Sequence, residues 1–214
     1  MDDMNSILLK CLHNITKYGK RSNMRVLPLH HFIGETISSN MTYEKKLNGV
    51  YTDKNVDFYD EQTKTVYEIK FITGNYKQNA NNYFENMLGA TANLKLNGYR
   101  VVQIIVLPKY LPYYDKNGVL KKIEYITSSN IMKYKNIMNL GNETKPDNML
   151  FYFIDTGNEK FLQENIDKLL IEKELDMSYN IKSISCLNEN IDDFLNEYSN
   201  FDNFIKKERE YATI

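Results

Sequence analysis

The sequence predicts an α/β domain with helical additions at both ends, and three observations carry that prediction. Residues 49–71 fall into short alternating runs, the period of strands. Residues 77–96 then place Ala80, Phe84, Met87, Thr91 and Leu94 on one face of a long helix, which Gly98 closes. Residues 99–107 form a nearly continuous apolar run, typical of a central strand covered on both faces, and Pro108 ends it.

The remaining elements follow in order. Residues 5–18 carry Ile7, Leu8, Cys11, Leu12 and Ile15 as a helical stripe. A basic stretch holding Lys17, Lys20, Arg21 and Arg25 comes next. Residues 29–38, after Pro28, predict a second helix bearing His30, His31 and Glu35. Residues 110–118 are rich in turn formers, with Pro112 and Asp115-Lys116-Asn117-Gly118. Residues 150–154 predict another buried strand, and residues 159–173 and 190–207 two amphipathic helices. No internal repeat or long linker divides residues 1–214, so one domain is expected.

Composition narrows the class. Hydrophobic residues make up 42% and charged residues 26%, which suits a soluble globular domain. The acidic start Met1-Asp2-Asp3 leads into no apolar run, and no stretch approaches a membrane span. Cys11 and Cys186 have no metal-type spacing and fit reduced thiols, so a cytoplasmic protein without membrane contact is expected. No phosphate-cradling GxxxxGK[ST] occurs, which argues against a nucleotide cofactor. Residues 1–154 carry 20 Lys+Arg against 14 Asp+Glu, and residues 155–214 carry 7 against 14. A basic body beside an acidic region suits an approach to phosphates from one side, although a solvated acidic helix pair would give the same count.

The segment with chemical content is Val56-Asp57-Phe58-Tyr59-Asp60, a polar turn, and Thr65-Val66-Tyr67-Glu68-Ile69-Lys70-Phe71. With 61–64 as a four-residue hairpin loop, Asp60 faces Thr65, Phe58 faces Tyr67 and Asp57 faces Glu68. Lys70 then shares the face of Glu68, while Val56, Phe58, Tyr67, Ile69 and Phe71 point together into a core. Facing carboxylates about 4.5–5.5 Å apart at Cβ destabilise a sheet unless something offsets them. A hard divalent cation would do so, and a nearby lysine can hold a water and stabilise charge developing on phosphorus. Asp60 falls on the wrong face to replace Asp57. Asp53 shares its parity and is an alternative second carboxylate. His30 and His31 read first as structural or exposed, with a ligand role as the alternative.

Asp57, ten intervening residues and Glu68-Ile69-Lys70 resemble the PD-(D/E)XK nuclease motif, with Val56 where that family often has proline. The order of helix, strand, hairpin, helix and strand across about residues 29–107 is also similar to its αβββαβ core. The resemblance implies a mixed central β-sheet flanked by helices, with residues 1–28 and 108–214 as elaborations. It implies Asp57, Glu68 and Lys70 as catalytic residues. Asp57, Glu68 and the backbone carbonyl of Ile69 would be ligands of Mg²⁺, for which Mn²⁺ would substitute. Glu35, on the helix before the hairpin, is the expected auxiliary ligand.

The substrate expected from the resemblance is double-stranded DNA, cut by a type II restriction endonuclease acting as a homodimer on a symmetric site. A structure-selective repair or Holliday-junction nuclease and a non-catalytic nucleic-acid-binding module are the alternatives. Lys77, Gln78, Asn79, Asn82 and Asn86 are candidate DNA contacts, since Asn and Gln suit adenine in the major groove. Lys20, Arg21 and Arg25 are candidates for the phosphates, as are Lys17, Lys109, Lys121 and Lys122.

Overall fold

The computed structural model describes residues 3–18, 23–155, 185–186, 198 and 200–213, with side chains except at 15–18, 128, 185 and 186. Its centre is the apolar run predicted as a covered strand. That run is β4 (Arg100–Pro108), in which Val102, Ile104 and Val106 face one layer and Ile105 and Leu107 the other. Burial on both faces is why the run lacks polar alternation.

Helices α1 (Met4–Tyr18) and α2 (Leu27–Ile37) cover the first face, together with a C-terminal helix that we label α5 (Phe201–Ala212). Pro28 lies in the first turn of α2, where its missing N–H costs no hydrogen bond. Leu8, Leu12, Leu29, Ile33 and Phe204 pack there against Phe58, Tyr67 and Leu150. Helix α3 (Tyr76–Lys95) and α4 (Ser128–Ile137) cover the other face. The expected α3 stripe is observed: Ala80, Thr91 and Leu94 are buried, and Phe84 and Met87 pack half-buried beside them.

Among the described residues the sheet order is β1 (Met41–Leu47), β2 (Lys54–Asp60), β3 (Thr65–Phe71), β4, β7 (Asn148–Asp155) and the two-residue β8 (Ser185–Cys186). β1, β2 and β3 are antiparallel neighbours, whereas β3, β4 and β7 run parallel. α3 is the crossover that parallel β3 and β4 require. The fold is therefore mixed α/β with a central mixed sheet flanked by helices, as expected, and α2-β1-β2-β3-α3-β4 reproduces the αβββαβ order.

Several expectations need correction. The first strand, β1, precedes residue 49, so the alternating region begins earlier than its hydropathy suggests. Residues 110–118 are not a turn throughout: β5 (Tyr110–Tyr114) and β6 (Leu120–Tyr125) form a separate hairpin. Only the segment around Asp115 turns, where the Asp115 carboxylate accepts from Asn117 N and Val119 N. α4 was not predicted. The last helix starts at Phe201, with Asn200 accepting from Asn203 N, and runs past Lys207; residues 190–197 and 159–173 lie outside the described residues.

The most consequential correction concerns Val56. Alternation placed it with Phe58, but Val56 packs with Leu47, Val66 and Leu94 on the α3 face, while Phe58 packs under α1 and α2. The β1–β2 ladder pairs Tyr43 with Phe58 and Lys45 with Val56 but is interrupted at Glu44 and Asp57. Glu44 adopts φ +50, a left-handed conformation strained for a side chain of this kind. β1 changes face there too: Tyr43 packs on the Phe58 side, and Leu47 on the opposite side.

Candidate functional site

Three β2–β3 pairs hold as expected: Phe58 with Tyr67, Tyr59 with Val66, and Asp60 with Thr65. The ladder stops there, one step before Asp57 and Glu68. The Ile69 N–H donates instead to the Asp57 carboxylate, with N···Oδ2 at 2.5 Å. β3 meanwhile stays paired with β4 as far as Phe71 and Val106. A side chain thus takes the place of the ladder where β2 leaves β3, and that splay opens a cleft.

The cleft holds about 570 Å³ and is lined by Asp57, Ile69 and Lys70 together with Arg25, His30, Asn75, Asn79 and Tyr83. Lys70 is exposed to it, with Nζ 5.0 Å from the centre of the Tyr83 ring. Surrounding protein lowers the pKa of the Lys70 ammonium, against the opposing pull of Asp57 and Glu68. A smaller cavity of about 120 Å³ adjoins it and shares Ile69, Lys70 and Tyr83; Glu68, Lys54 and Gln103 line this one.

Glu68 is largely buried. Its Oε2 meets Lys54 Nζ at 3.0 Å, so an ammonium offsets part of the carboxylate repulsion that was expected to need a cation. Its Oε1 is buried with no hydrogen-bond partner. Burial pushes the Glu68 pKa up to about 7; the Lys54 charge works against that rise and the Asp57 charge adds to it. Glu68 lines a cavity and leaves a buried carboxylate oxygen unpartnered, a donor of the kind a divalent ion takes, so the residues fit such an ion.

Asp57 also meets groups from α2 and β1. An imidazole nitrogen of His30 and a carboxylate oxygen of Glu44 lie within 4.8 Å of an Asp57 oxygen and of each other. His30 is buried, and its Nδ1 has no hydrogen-bond partner. Burial lowers the His30 pKa, against the charges of Asp57 and Glu44.

Glu35, expected as the auxiliary ligand, instead has a side chain 72% exposed and lies 3.6 Å from His31 Nδ1. It does not line the cleft; the α2 residue that does is His30. Asp53 pairs with Lys46 at 2.9 Å, and Asp60 is buried, accepting from Gln62 N in the hairpin turn.

Of the candidate DNA contacts, Arg25 and Asn79 line the cleft, and Arg25 Nη1 donates to Thr73 Oγ1 at 3.1 Å. Lys77, Gln78 and Asn82 are exposed on α3, and Asn86 borders the smaller cavity. Lys20 and Arg21 lie outside the described residues, as does the side chain of Lys17. Lys121 pairs with Asp115 at 3.3 Å, and Lys109 stands over the rings of Tyr110 and Tyr125.

Sequence reasoning missed Glu44, Lys54, Tyr83 and Gln103. Only Gln103 left a signal, a polar residue inside the apolar run; it stands beside Glu68 in the β3–β4 pairing and donates to Thr91 Oγ1. Glu44 and Lys54 come from strand positions that look like ordinary surface.

No protein-family model matches the chain, and no curated protein matches it. Among solved structures, the small subunit (R.BspD6I2) of the heterodimeric restriction endonuclease R.BspD6I is similar at 10% identity, with a TM-score of 0.41. The alignment covers 77% of this chain and 86% of that one. Among the described residues, no helix is long and apolar enough to cross a membrane.

Proposed function

We propose that the protein is a Mg²⁺-dependent endonuclease that hydrolyses phosphodiester bonds of double-stranded DNA, as a site-specific enzyme of the type II kind. One observation carries this reading. Where β2 parts from β3, Asp57, Glu68 and Lys70 gather around two adjoining cavities, with Arg25 and Asn79 on the wall of the larger one.

Asp57 and the unpartnered Oε1 of Glu68 would hold the ion, with the Ile69 carbonyl as the proposed third ligand. When bound, a divalent ion supplies Lewis-acid polarisation of the scissile phosphate. Lys70 orients a water toward phosphorus and offsets the negative charge that grows on the phosphate oxygens. Tyr83 borders the ammonium and limits where it can point. Lys54 offsets the negative charge of Glu68. Arg25 contacts the DNA backbone, and the amides of α3 read bases. A symmetric target would be met by two copies of the chain.

The test is incubation of the full chain with plasmid and phage DNA, with and without Mg²⁺, resolved on a gel. Discrete Mg²⁺-dependent fragments support the reading. Cutting confined to branched substrates would move it to a structure-selective nuclease, and a mobility shift without cutting would make the protein a binding module.

A further inference from the structure

His30 comes from α2, and Glu44 and Asp57 from the paired strands β1 and β2 at the point where their ladder is interrupted. Their ligand atoms lie within 4.8 Å of one another. Around one ion bonded at about 2.1–2.3 Å, neighbouring ligands stand about 3.0–3.8 Å apart and opposite ones about 4.2–4.6 Å, and the 3.7 Å between His30 Nδ1 and Glu44 Oε1 already lies in the first range. Little movement would therefore close this set around a cation.

The imidazole supplies a second, independent observation. The His30 side chain is 4% exposed, and Nδ1 stands 3.7 Å from Glu44 Oε1 with no hydrogen bond to anything. A buried ring nitrogen without a partner costs stability unless something occupies it. Glu44 is half-exposed and gives the site an opening to solvent, and it is brought opposite Asp57 by its own left-handed backbone at φ +50. That conformation is strained for glutamate and turns β1 over at this point. Strain of this sort persists where the surrounding structure imposes it, and it clusters at functional sites.

We propose that His30, Glu44 and Asp57 form a second cation site, taking a first-row transition-metal ion in preference to Mg²⁺ or Ca²⁺. One imidazole nitrogen and two carboxylate oxygens make a borderline donor set, whereas Mg²⁺ and Ca²⁺ favour oxygen alone. Asp57 is shared with the proposed catalytic set, so an ion here would lie beside the scissile phosphate. Glu68 is not a ligand of this ion. The proposal shares Asp57 with the nuclease reading but can fail without it.

The test is spin-echo modulation spectroscopy of Mn²⁺ bound to the full chain without DNA, which detects coupling to a coordinating ¹⁴N, together with Mn²⁺ titration. Wild type should show nitrogen coupling, and His30→Gln, shown folded by circular dichroism, should lose it. Glu44→Gln should weaken Mn²⁺ binding about tenfold or more, and Glu68→Gln should retain the coupling. Wild type without nitrogen coupling would overturn the site, whether or not the variants fold. So would coupling that survives His30→Gln or disappears in Glu68→Gln, or Glu44→Gln binding Mn²⁺ like wild type. Mg²⁺-dependent DNA cutting without nitrogen coupling would sink this site and leave the nuclease reading standing; coupling without cutting would do the reverse.

Discussion

The Asp57 carboxylate accepts the Ile69 N–H at 2.5 Å, one step past the last backbone pair between β2 and β3. One carboxylate oxygen thus terminates the hairpin ladder and fixes how the strands separate. Asp57→Asn keeps the size but removes the charge and offers a weaker acceptor. It should cut DNA at least about a hundredfold more slowly, with near-native DNA binding in a filter or gel assay. Wild-type cutting by this variant would remove Asp57 from the mechanism.

Glu68 makes stability depend on pH in a definite direction. Its folded pKa of about 7 lies above the ordinary value of 4.5. Between those values the folded state holds the proton that the unfolded state has lost. Stability from this group is therefore complete below about pH 4.5 and is lost as pH rises through about 7. In metal-free buffer, wild type should lose roughly 3 kcal/mol relative to Glu68→Gln across that window. Urea denaturation of both proteins at several pH values reads the difference, and a difference that stays flat with pH would contradict it.

Glu208 of α5 is fully buried and accepts from Arg100 through both oxygens, at 2.7 and 2.8 Å. Tyr67 Oη and Asn148 Nδ2 also donate to it. Removing it strands the buried guanidinium, so Glu208→Ala should lower the unfolding free energy by about 3–5 kcal/mol. Denaturant unfolding checks this, and a loss below about 1 kcal/mol would show that the network is dispensable.

Much of this was legible in the sequence, for physical reasons that also explain the misses. Tyr67 and Phe58 could be paired because a two-residue period and a four-residue loop leave one register that buries both. β4 could be read because a strand covered on both faces has nowhere to put charge. β1 could not, because Glu44 turns the strand over in mid-course and destroys the alternation that would reveal it. The same turnover sent Val56 to the face opposite the one expected. The β5–β6 hairpin was hidden by Pro112, which discourages a strand assignment although a small two-stranded sheet tolerates it. At the site, Glu35 follows from the family resemblance, whereas His30, the α2 residue at the cleft, reads first as structural or exposed because adjacent histidines on a helix carry no spacing that favours a ligand role.

Arg25 tests the proposed DNA-facing side. Its guanidinium lines the cleft and is anchored on Thr73. Arg25→Ala should weaken binding to all sequences alike and reduce the slope of log affinity against log salt by about 1. Gln78→Ala or Asn82→Ala should instead relax discrimination at a single base position. An Arg25→Ala slope equal to wild type would place the phosphate path elsewhere.

The most direct test of the central claim compares wild type with Lys70→Met on supercoiled plasmid, with binding and cutting measured on the same samples. Lys70 reaches the cleft beside Asp57 and, in this account, acts on the reacting phosphate rather than on affinity. Wild type should convert plasmid to defined fragments in Mg²⁺ and do nothing in EDTA, while Lys70→Met binds within about threefold of wild type and leaves the plasmid intact. Cutting that survives EDTA, or that proceeds at the wild-type rate without Lys70, would contradict the account.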